Sequence, residues 1–226
     1  MSERRNVDEL LARYVLEPTL RDLYVEGASD RRFFDWLLRE FGLSTVVAYE
    51  IESVNVPHEM LRPFEVEDNN RGRVIALAYY LHQHTGTDLS QRVACIADRD
   101  FDDLLGIRFD CPLLILTDYT AVELYCLDEA VLQKFLTLVV DGFKMTAREV
   151  LEAMLPVLRE LFTVRLANRV LSLGLSELSF EKCCSVKGRT ITFDLDEYVT
   201  RYLNKSGKAA QTRCVHGKSP GASRNP

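Results

Sequence analysis

Residues 23–30 read Leu-Tyr-Val-Glu-Gly-Ala-Ser-Asp, an apolar run that stops at a glutamate and a glycine. The apolar residues predict a buried β-strand, and Ser29 predicts the start of a helix directly after the turn. Gly27 is expected to permit a tight turn and a close approach of a phosphate to the backbone. Because ligands of open α/β sheets bind outside the carboxyl ends of the strands, Glu26 is the first candidate functional residue.

A second apolar run, at residues 93–97, leads into a cluster of acids, and residues 98–103 read Asp-Arg-Asp-Phe-Asp-Asp. Asp98 and Asp100 are two residues apart, so an extended strand end would direct both side chains to one side, near a common ion. Hard cations such as Mg²⁺ take carboxylate oxygens as ligands. Two acid clusters at strand ends therefore predict a divalent metal site.

Strand and helix patterns alternate along the first half of the chain. Strands are predicted at 21–26, 45–51, 92–97 and 113–116, and helices at 6–16, at 29–41 and from 70 to the glycine at 86. Phe34, Leu37, Leu38 and Phe41 share the apolar face of the second helix, and Asn70 is the predicted N-cap of the third. This alternation predicts an α/β fold with a parallel, Rossmann-like sheet flanked by helices.

From about Ala121 the pattern becomes helical. Pro156 is expected to kink or break the second of the helices predicted there. Residues 179–193 are expected to be irregular apart from a short strand at 190–193. Three further helices are predicted. The first covers residues 128–140, the second begins at a capping box of Thr146 and Glu149, and the third follows Asp194 and runs through residue 203.

The predicted organisation has four parts. They are an N-terminal helix, an α/β domain that carries both acid clusters, a mostly helical appendage and a disordered basic tail, at residues 1–18, 19–127, 128–203 and 204–226 respectively. The last part has no periodicity and carries basic residues without any acid, a composition typical of disorder.

The bulk composition limits the classes of function. The formal net charge of −6 argues against a protein that coats duplex DNA, because that mode of binding needs a basic face. The 6 cysteines form no Cys-x-x-Cys pair, so we expect a reduced, cytoplasmic protein without a zinc site. No apolar run approaches the ~18 residues of a membrane span, and we expect no membrane partner.

The two acid clusters resemble those of the Toprim domain of topoisomerases, primases and OLD-type nucleases. More narrowly, the chain resembles the small Toprim-like proteins that accompany OLD-like ATPases in bacteria, and most of all the effector subunits of PARIS anti-phage systems. The likeness covers roughly residues 20–127. The residues that carry it are Tyr24-Val25-Glu26-Gly27, Asp30, Asp98-Arg99-Asp100-Phe101-Asp102, Tyr119 and Glu123.

The resemblance implies a role for each acid. Glu26 matches a glutamate thought to act in acid–base chemistry or to join the metal shell. Asp98 and Asp100 match metal-ligating aspartates, so these three are the implied catalytic residues. Asp30 and Asp102 are weaker candidates for metal ligands.

Four other residues bear on the candidate site. Glu123 could be a further ligand or could support one, although an ordinary helix-face acid explains it equally well. Arg71 and Arg73, near the start of a predicted helix, could hold a phosphate or form a solvated face. Arg99 separates the two aspartates, and we expect its side chain to point away from them.

The implied function is a Mg²⁺-dependent nuclease, with Mn²⁺ as a substitute, that cuts RNA such as tRNA and arrests growth once it is activated. An OLD-like, ABC-type ATPase is the implied partner, because the chain has no P-loop motif of its own. A homodimer is a further expectation. Two alternatives stay open, namely an OLD-type DNA nuclease subunit and a non-catalytic regulatory subunit. In the latter, Glu26 complements a helix dipole and residues 98–103 form a solvated loop.

Overall fold

The computed structural model of the chain describes residues 4–85, 88–140, 142–176 and 178–205. The chain divides into two compact units, one within residues 1–125 and the other within 126–226. Most of the predicted disordered tail, from residue 206 onward, lies outside the described residues, whereas residues 204 and 205 belong to the last helix. The predicted domain boundaries stay predictions.

The first unit alternates strands and helices as the sequence pattern indicates. Each of the four predicted strands forms and is one or two residues shorter than predicted. In chain order, the elements are β1 (Arg5–Asn6), α1 (Val7–Leu16), β2 (Arg21–Val25), α2 (Ala28–Glu40), β3 (Val46–Glu50), β4 (Val54–Asn55), α3 (Asn70–His84), β5 (Val93–Ala97), α4 (Asp102–Leu105) and β6 (Leu114–Leu116).

The main sheet is parallel throughout and has the strand order β3-β2-β5-β6. Within this sheet the chain forms β2 first. It then passes through α2 to β3 on one side of β2 and returns through α3 to β5 on the other side of β2. The strand order therefore reverses between β2 and β5, which is the position where open α/β sheets bind their ligands. The predicted α/β fold, with a parallel, Rossmann-like sheet flanked by helices, is therefore confirmed, and the Toprim fold itself stays a prediction.

The sheet has an apolar layer on each face. On one face, Leu23 and Val25 of β2 pack against Phe34 and Leu38 of α2. A larger core lies on the other face and includes Tyr24, α1 and α3. The buried residues of α3 are distributed around much of its own surface. Because α3 packs against α1 and the turns at 51–64 as well as the sheet, it is buried more widely than a one-sided helix.

A polar cluster is buried within the larger core. The Tyr14 hydroxyl donates to Asp22 Oδ2 at 2.8 Å and also hydrogen-bonds the Tyr24 hydroxyl at 2.9 Å. Asp22 is only 2% exposed, so these hydrogen bonds replace the water that its carboxylate loses on folding. They join α1 to β2.

The described part of the second unit is helical apart from one hairpin. The predicted Thr146–Glu149 capping box is confirmed. Pro156 was predicted to kink or break the helix, and the break is wrong, because the helix continues through Pro156 to Val170. A proline removes a single N–H donor, and the other hydrogen bonds of this long helix remain. The elements are α5 (Glu129–Val139), α6 (Ala147–Val170), β7 (Cys184–Lys187), β8 (Thr190–Phe193) and α7 (Leu195–Lys205).

The hairpin differs from the prediction of a largely irregular segment at 179–193. β8 occupies the predicted strand, and β7 pairs with it in antiparallel register through the turn at Gly188, which has φ 61°. β7 is short and mostly exposed, so it lacks the apolar alternation that identifies a half-buried strand. Among the residues that the structure describes, no helix has both the length and the apolarity needed to cross a membrane.

Candidate functional site

Glu26 joins the two predicted acid clusters. It follows the last residue of β2, and its Oε1 accepts a hydrogen bond of 2.8 Å from the backbone N–H of Asp98, which follows the last residue of β5. Since β2 and β5 are neighbours in the sheet, this bond lies at the carboxyl edge where the strand order reverses. The two predicted acid clusters therefore meet at one edge of the sheet, and the metal site inferred from them stays a prediction.

The turn after β2 is shaped by a carboxylate rather than by glycine. Asp30 Oδ2 accepts the backbone N–H of Gly27 at 3.0 Å and thereby caps the start of α2. Gly27 has φ −153°, ordinary extended backbone that any residue adopts, so the conformation of the turn does not itself require a glycine. A methyl group at Gly27 would meet only Asp30 Oδ2, at 4.0 Å, which leaves the backbone open to close approach.

Asp98 is held from two directions. Its Oδ1 accepts the backbone N–H of Val122 at 3.1 Å, which links β5 to the segment after β6. Its carbonyl oxygen accepts Arg71 Nε at 2.7 Å. The side chain is therefore fixed in orientation close to Glu26.

Asp100 does not continue the strand. β5 ends at Ala97, and Asp100 has φ 48°, a left-handed conformation that aspartate tolerates better than most residues do. Arg71 Nε lies 3.3 Å from Asp100 Oδ2. The strand-alternation argument for a common ion between Asp98 and Asp100 therefore fails, although the Asp100 charge raises the pKa of both Glu26 and Asp98.

Asp102 and Arg71 form a buried ion pair. The side chains are 5% and 12% exposed, and Arg71 Nη2 contacts Asp102 Oδ2 directly. Burial raises the pKa of Asp102, while Arg71 acts in the opposite direction. Arg71 thus binds protein oxygens in this structure, and the predicted phosphate contact stays a prediction.

The start of α3 places Arg71 beside the acids. The side chain of Asn69, not Asn70 as predicted, caps the helix by accepting the Gly72 N–H at 2.8 Å. A methyl group at Gly72 would overlap the carbonyl oxygen of Glu67, so this tight first turn requires glycine. Asn70 Nδ2 instead donates to the Glu26 carbonyl oxygen at 3.0 Å.

Other predicted residues lie at or beyond the margin of the acid cluster. Glu123 is exposed, and its charge raises the pKa of Asp30 and Asp98, which places it near both. Arg73 pairs with Asp68 at 2.8 Å and does not join Arg71.

The Arg99 side chain turns toward other partners, as expected. Its Nε donates to the carbonyl oxygen of Thr117 at 2.6 Å, and its Nη1 lies 3.3 Å from Asp103 Oδ2. Arg99 therefore braces the segment after β6 and draws Asp103 to the surface.

The acids suppress one another's ionisation. Burial is the largest cause that raises the pKa of Glu26 to about 7, and the charges of Asp98 and Asp100 add to it. Burial also raises the pKa of Asp98 to about 6, followed by the charges of Asp30, Asp100 and Glu123. The site therefore carries more carboxylates than its cations offset, and a bound cation would stabilise their ionised forms.

The donor chemistry fits a hard divalent cation. Glu26, Asp98 and Asp100 offer carboxylate oxygens of the kind that Mg²⁺ and Mn²⁺ bind. Within the described ranges, however, no three acidic, cysteine or histidine side chains already form a metal-binding arrangement. Asp100 would have to turn from Arg71 to share a cation with Asp98.

The raised pKa values make the stability of the protein depend on pH. The folded state keeps protons on Glu26 and Asp98 that the unfolded chain releases at lower pH, so the stability that these two acids contribute is full at and below their ordinary pKa values of 4.5 and 3.8 and is lost as pH rises to about 7. We expect the loss to be several kcal/mol. Urea unfolding at about pH 4 and about pH 8 measures it. An equal loss in the Glu26→Gln, Asp98→Asn double variant would contradict the assignment.

Sequence reasoning missed two parts of this site. It left Arg71 open between a phosphate contact and a solvated face, although a helix that starts at the same sheet edge as the acids also places its first residues among them. It also passed over the aromatic side chains beside the site, which occupy exposed positions on α2 and after β6. The sequence signal that could have identified these aromatic residues was their short spacing from Asp30 and Glu123.

Comparison with known proteins gives no family assignment. Neither the scan of protein-family models nor the search of curated proteins matches the chain. The resemblance to Toprim proteins therefore rests on the residues quoted from the sequence and stays a prediction.

Proposed function

We propose that the chain is a metal-dependent phosphodiesterase of the Toprim type that cleaves nucleic acid. The observation that carries the proposal is the 2.8 Å hydrogen bond from the Asp98 N–H to Glu26 Oε1. It brings two partly buried acids together at the ligand-binding edge of a parallel sheet. The hydrogen bonds that orient the two carboxylates come from backbone N–H groups, those of Asp98 and Val122.

Each acid has a distinct task in this proposal. Asp98 would hold a divalent cation, with Asp100 as a second ligand once it leaves Arg71. When bound, the cation would activate a water molecule and offset negative charge on the phosphodiester. Glu26, whose pKa of about 7 lies near neutral pH, suits proton transfer. With Oε1 oriented by the Asp98 N–H, we assign the transfer to Oε2.

The biological role follows from the resemblance. We propose an effector of an ATPase-coupled anti-phage system, silent while the ATPase holds it and able to arrest growth when it is released. RNA such as tRNA is the proposed substrate. An OLD-like ATPase encoded beside this chain would support the partner, because the chain has no P-loop motif to hydrolyse ATP itself.

The proposal is tested by offering the purified protein total cellular RNA together with plasmid DNA, in Mg²⁺ or Mn²⁺. We expect cutting that Glu26→Gln and Asp98→Ala abolish. Asp103→Asn is the matched control, because Asp103 belongs to the same run of acids but pairs with Arg99 and Arg108 at the surface.

The outcomes separate the rival functions. Cutting of RNA alone supports the effector, whereas cutting of DNA alone supports an OLD-type nuclease subunit. Protein that stays inactive even when it is coexpressed with the ATPase and released from it would overturn the nuclease proposal and favour a docking subunit. Cutting that survives both substitutions would assign the activity to other residues.

Gly27→Ala probes the approach of substrate to the backbone. The position has ordinary extended φ and room for a methyl group, so the free energy of unfolding should change by no more than about 1 kcal/mol. If a phosphate lies against this turn, cleavage should fall by about tenfold or more. Urea unfolding and initial cleavage rates measure the two effects. Unchanged cleavage would place the phosphate elsewhere.

A further inference from the structure

Four aromatic side chains form a continuous surface in the first unit, here called the aromatic patch. The ring of Phe33 lies 6.0 Å from that of Trp36 and 6.4 Å from that of Tyr125, centroid to centroid. The ring of Tyr119 meets Tyr125 edge to face at 5.1 Å. The patch therefore runs from α2 to the segment after β6.

The aromatic patch adjoins the acid cluster through both of its elements. Phe33 follows Asp30 by three residues on α2, so the two side chains are neighbours on the helix surface. Tyr119 and Tyr125 lie on either side of Val122, whose N–H holds Asp98. A ligand whose phosphate reaches Asp98 thus has aromatic rings within reach of its adjacent groups.

The patch has two exposed rings and two half-buried ones. Trp36 and Tyr119 are each 49% exposed, a large fraction for rings that could pack inward, whereas Phe33 and Tyr125 are half-buried. Tyr125 is fixed because its hydroxyl donates to Asp118 Oδ2 at 2.8 Å and accepts the Asp118 N–H at 3.0 Å. Tyr119 packs against this fixed ring and Trp36 against Phe33, so the two open rings offer faces for stacking while their neighbours limit the side-chain freedom that binding would cost.

The charge of the protein favours stacking over phosphate contacts. A net charge of −6 and a cluster of acids give a poor surface for the many phosphates of a duplex. Proteins that bind single strands instead draw much of their affinity from bases stacked on aromatic rings. The exposed Arg32, next to Phe33 on α2, supplies local positive charge for one phosphate.

We propose that the aromatic patch stacks unpaired bases of the substrate, so that the acid site acts on single-stranded or looped nucleic acid rather than on duplex. Bases in a duplex are stacked on each other and cannot present their faces to the rings. This inference rests on the proposed function for its connection to cleavage. The binding preference itself is measurable without any cleavage.

The test measures binding by fluorescence anisotropy at low salt, with EDTA present to prevent cleavage. The probes are labelled oligo(U) and oligo(dT) of about 20 nucleotides, each as a single strand and after annealing to its complement. We expect the single strands to bind at least about fivefold more tightly than the duplexes. If both oligomers bind more tightly as single strands than as duplexes, stacking on the patch accounts for the binding. If only oligo(U) shows this preference, the site also recognises ribose.

Matched variants identify the rings as the cause. Trp36→Ala with Tyr119→Ala should weaken single-strand binding at least about fivefold, whereas Trp36→Phe with Tyr119→Phe should keep most of it. Phe41→Ala is the control, because Phe41 is 71% exposed at the other end of α2. Circular dichroism confirms that each variant folds.

Three outcomes would overturn the inference. They are equal affinity for single strands and duplexes, no binding by the unaltered protein, and single-strand binding that survives the double alanine change. Each leaves the proposed function standing if metal-dependent cleavage is still lost in Glu26→Gln. Conversely, single-strand binding by a protein that stays inactive even after coexpression with the ATPase and release from it would support the patch and refute the nuclease.

Discussion

Replacing Glu26 by glutamine should lower the rate of metal-dependent cleavage by about 10²–10⁴-fold, the usual contribution of a positioned acid–base group. The physical reason is specific to this site. A glutamine keeps an oxygen that can accept the Asp98 N–H, now at 2.8 Å from Glu26, but it cannot exchange a proton at neutral pH. The variant should therefore fold normally and lose only the chemistry.

Single-turnover rates across pH measure this effect most clearly. In the unaltered protein without metal, the pKa of Glu26 is about 7; a bound cation would lower it, so the rising limb of the rate profile should lie at or below neutral pH. Glu26→Gln should remove that limb, and Asp103→Asn should leave it in place. A Glu26→Gln rate within about threefold of the unaltered protein would exclude Glu26 from proton transfer.

Replacing Arg71 by methionine should cost about 3–5 kcal/mol of stability at neutral pH, the range found when one partner of a buried ion pair is removed. Asp102 is then left buried without its cation. The change also removes the Nε that binds the Asp98 carbonyl oxygen at 2.7 Å, so cleavage should fall as well. Urea unfolding measures the loss of stability.

The pH dependence of that loss distinguishes a buried charge from lost packing. Without Arg71, which now opposes the raised pKa of Asp102, that pKa rises further. The deficit should therefore be full at about pH 8 and should shrink as pH falls toward about 4, because protonation of Asp102 removes the uncompensated buried charge. Adding Asp102→Asn to Arg71→Met should restore much of the stability. A deficit independent of pH and of Asp102→Asn would contradict this account.

The sequence predicted the parts of the site that depend on strand periodicity. Glu26 and Asp98 each follow an apolar run, and parallel strands bring their carboxyl ends to one edge, so their meeting needed no knowledge of side-chain packing. The N-cap of α3 was misplaced by one residue, since Asn69 and Asn70 are equally good caps by composition. The contact of Asn70 with the Glu26 carbonyl oxygen separates them only in three dimensions.

The predictions that were wrong concern residues at the ends of strands and helices. The placement of Asp100 assumed an extended strand beyond Ala97, but the backbone turns left-handed at φ 48°. Phe41 was expected on the inner face of α2, yet the helix ends at Glu40 and Phe41 is 71% exposed. Local patterns give the type of an element more securely than its last residue.

Arg71 shows a different limit of prediction from sequence. Its partners are the Asp98 carbonyl oxygen, Asp100 and Asp102, about thirty residues away in sequence. An arginine near a helix start is compatible with phosphate binding, a solvated face or a carboxylate pair. Only the burial of Asp102, at the start of the short and otherwise exposed helix α4, selects the carboxylate pair.

The central claim is that Glu26 and Asp98 belong to one cation site, and calorimetric titration with Mn²⁺ at about pH 8 tests it most directly. The unaltered protein and Asp103→Asn should bind the ion with equal affinity. Asp98→Asn should weaken binding at least about tenfold, and Glu26→Gln should weaken it measurably. Equal Mn²⁺ affinity in all four proteins, or no binding by the unaltered protein, would contradict a metal site at this edge of the sheet.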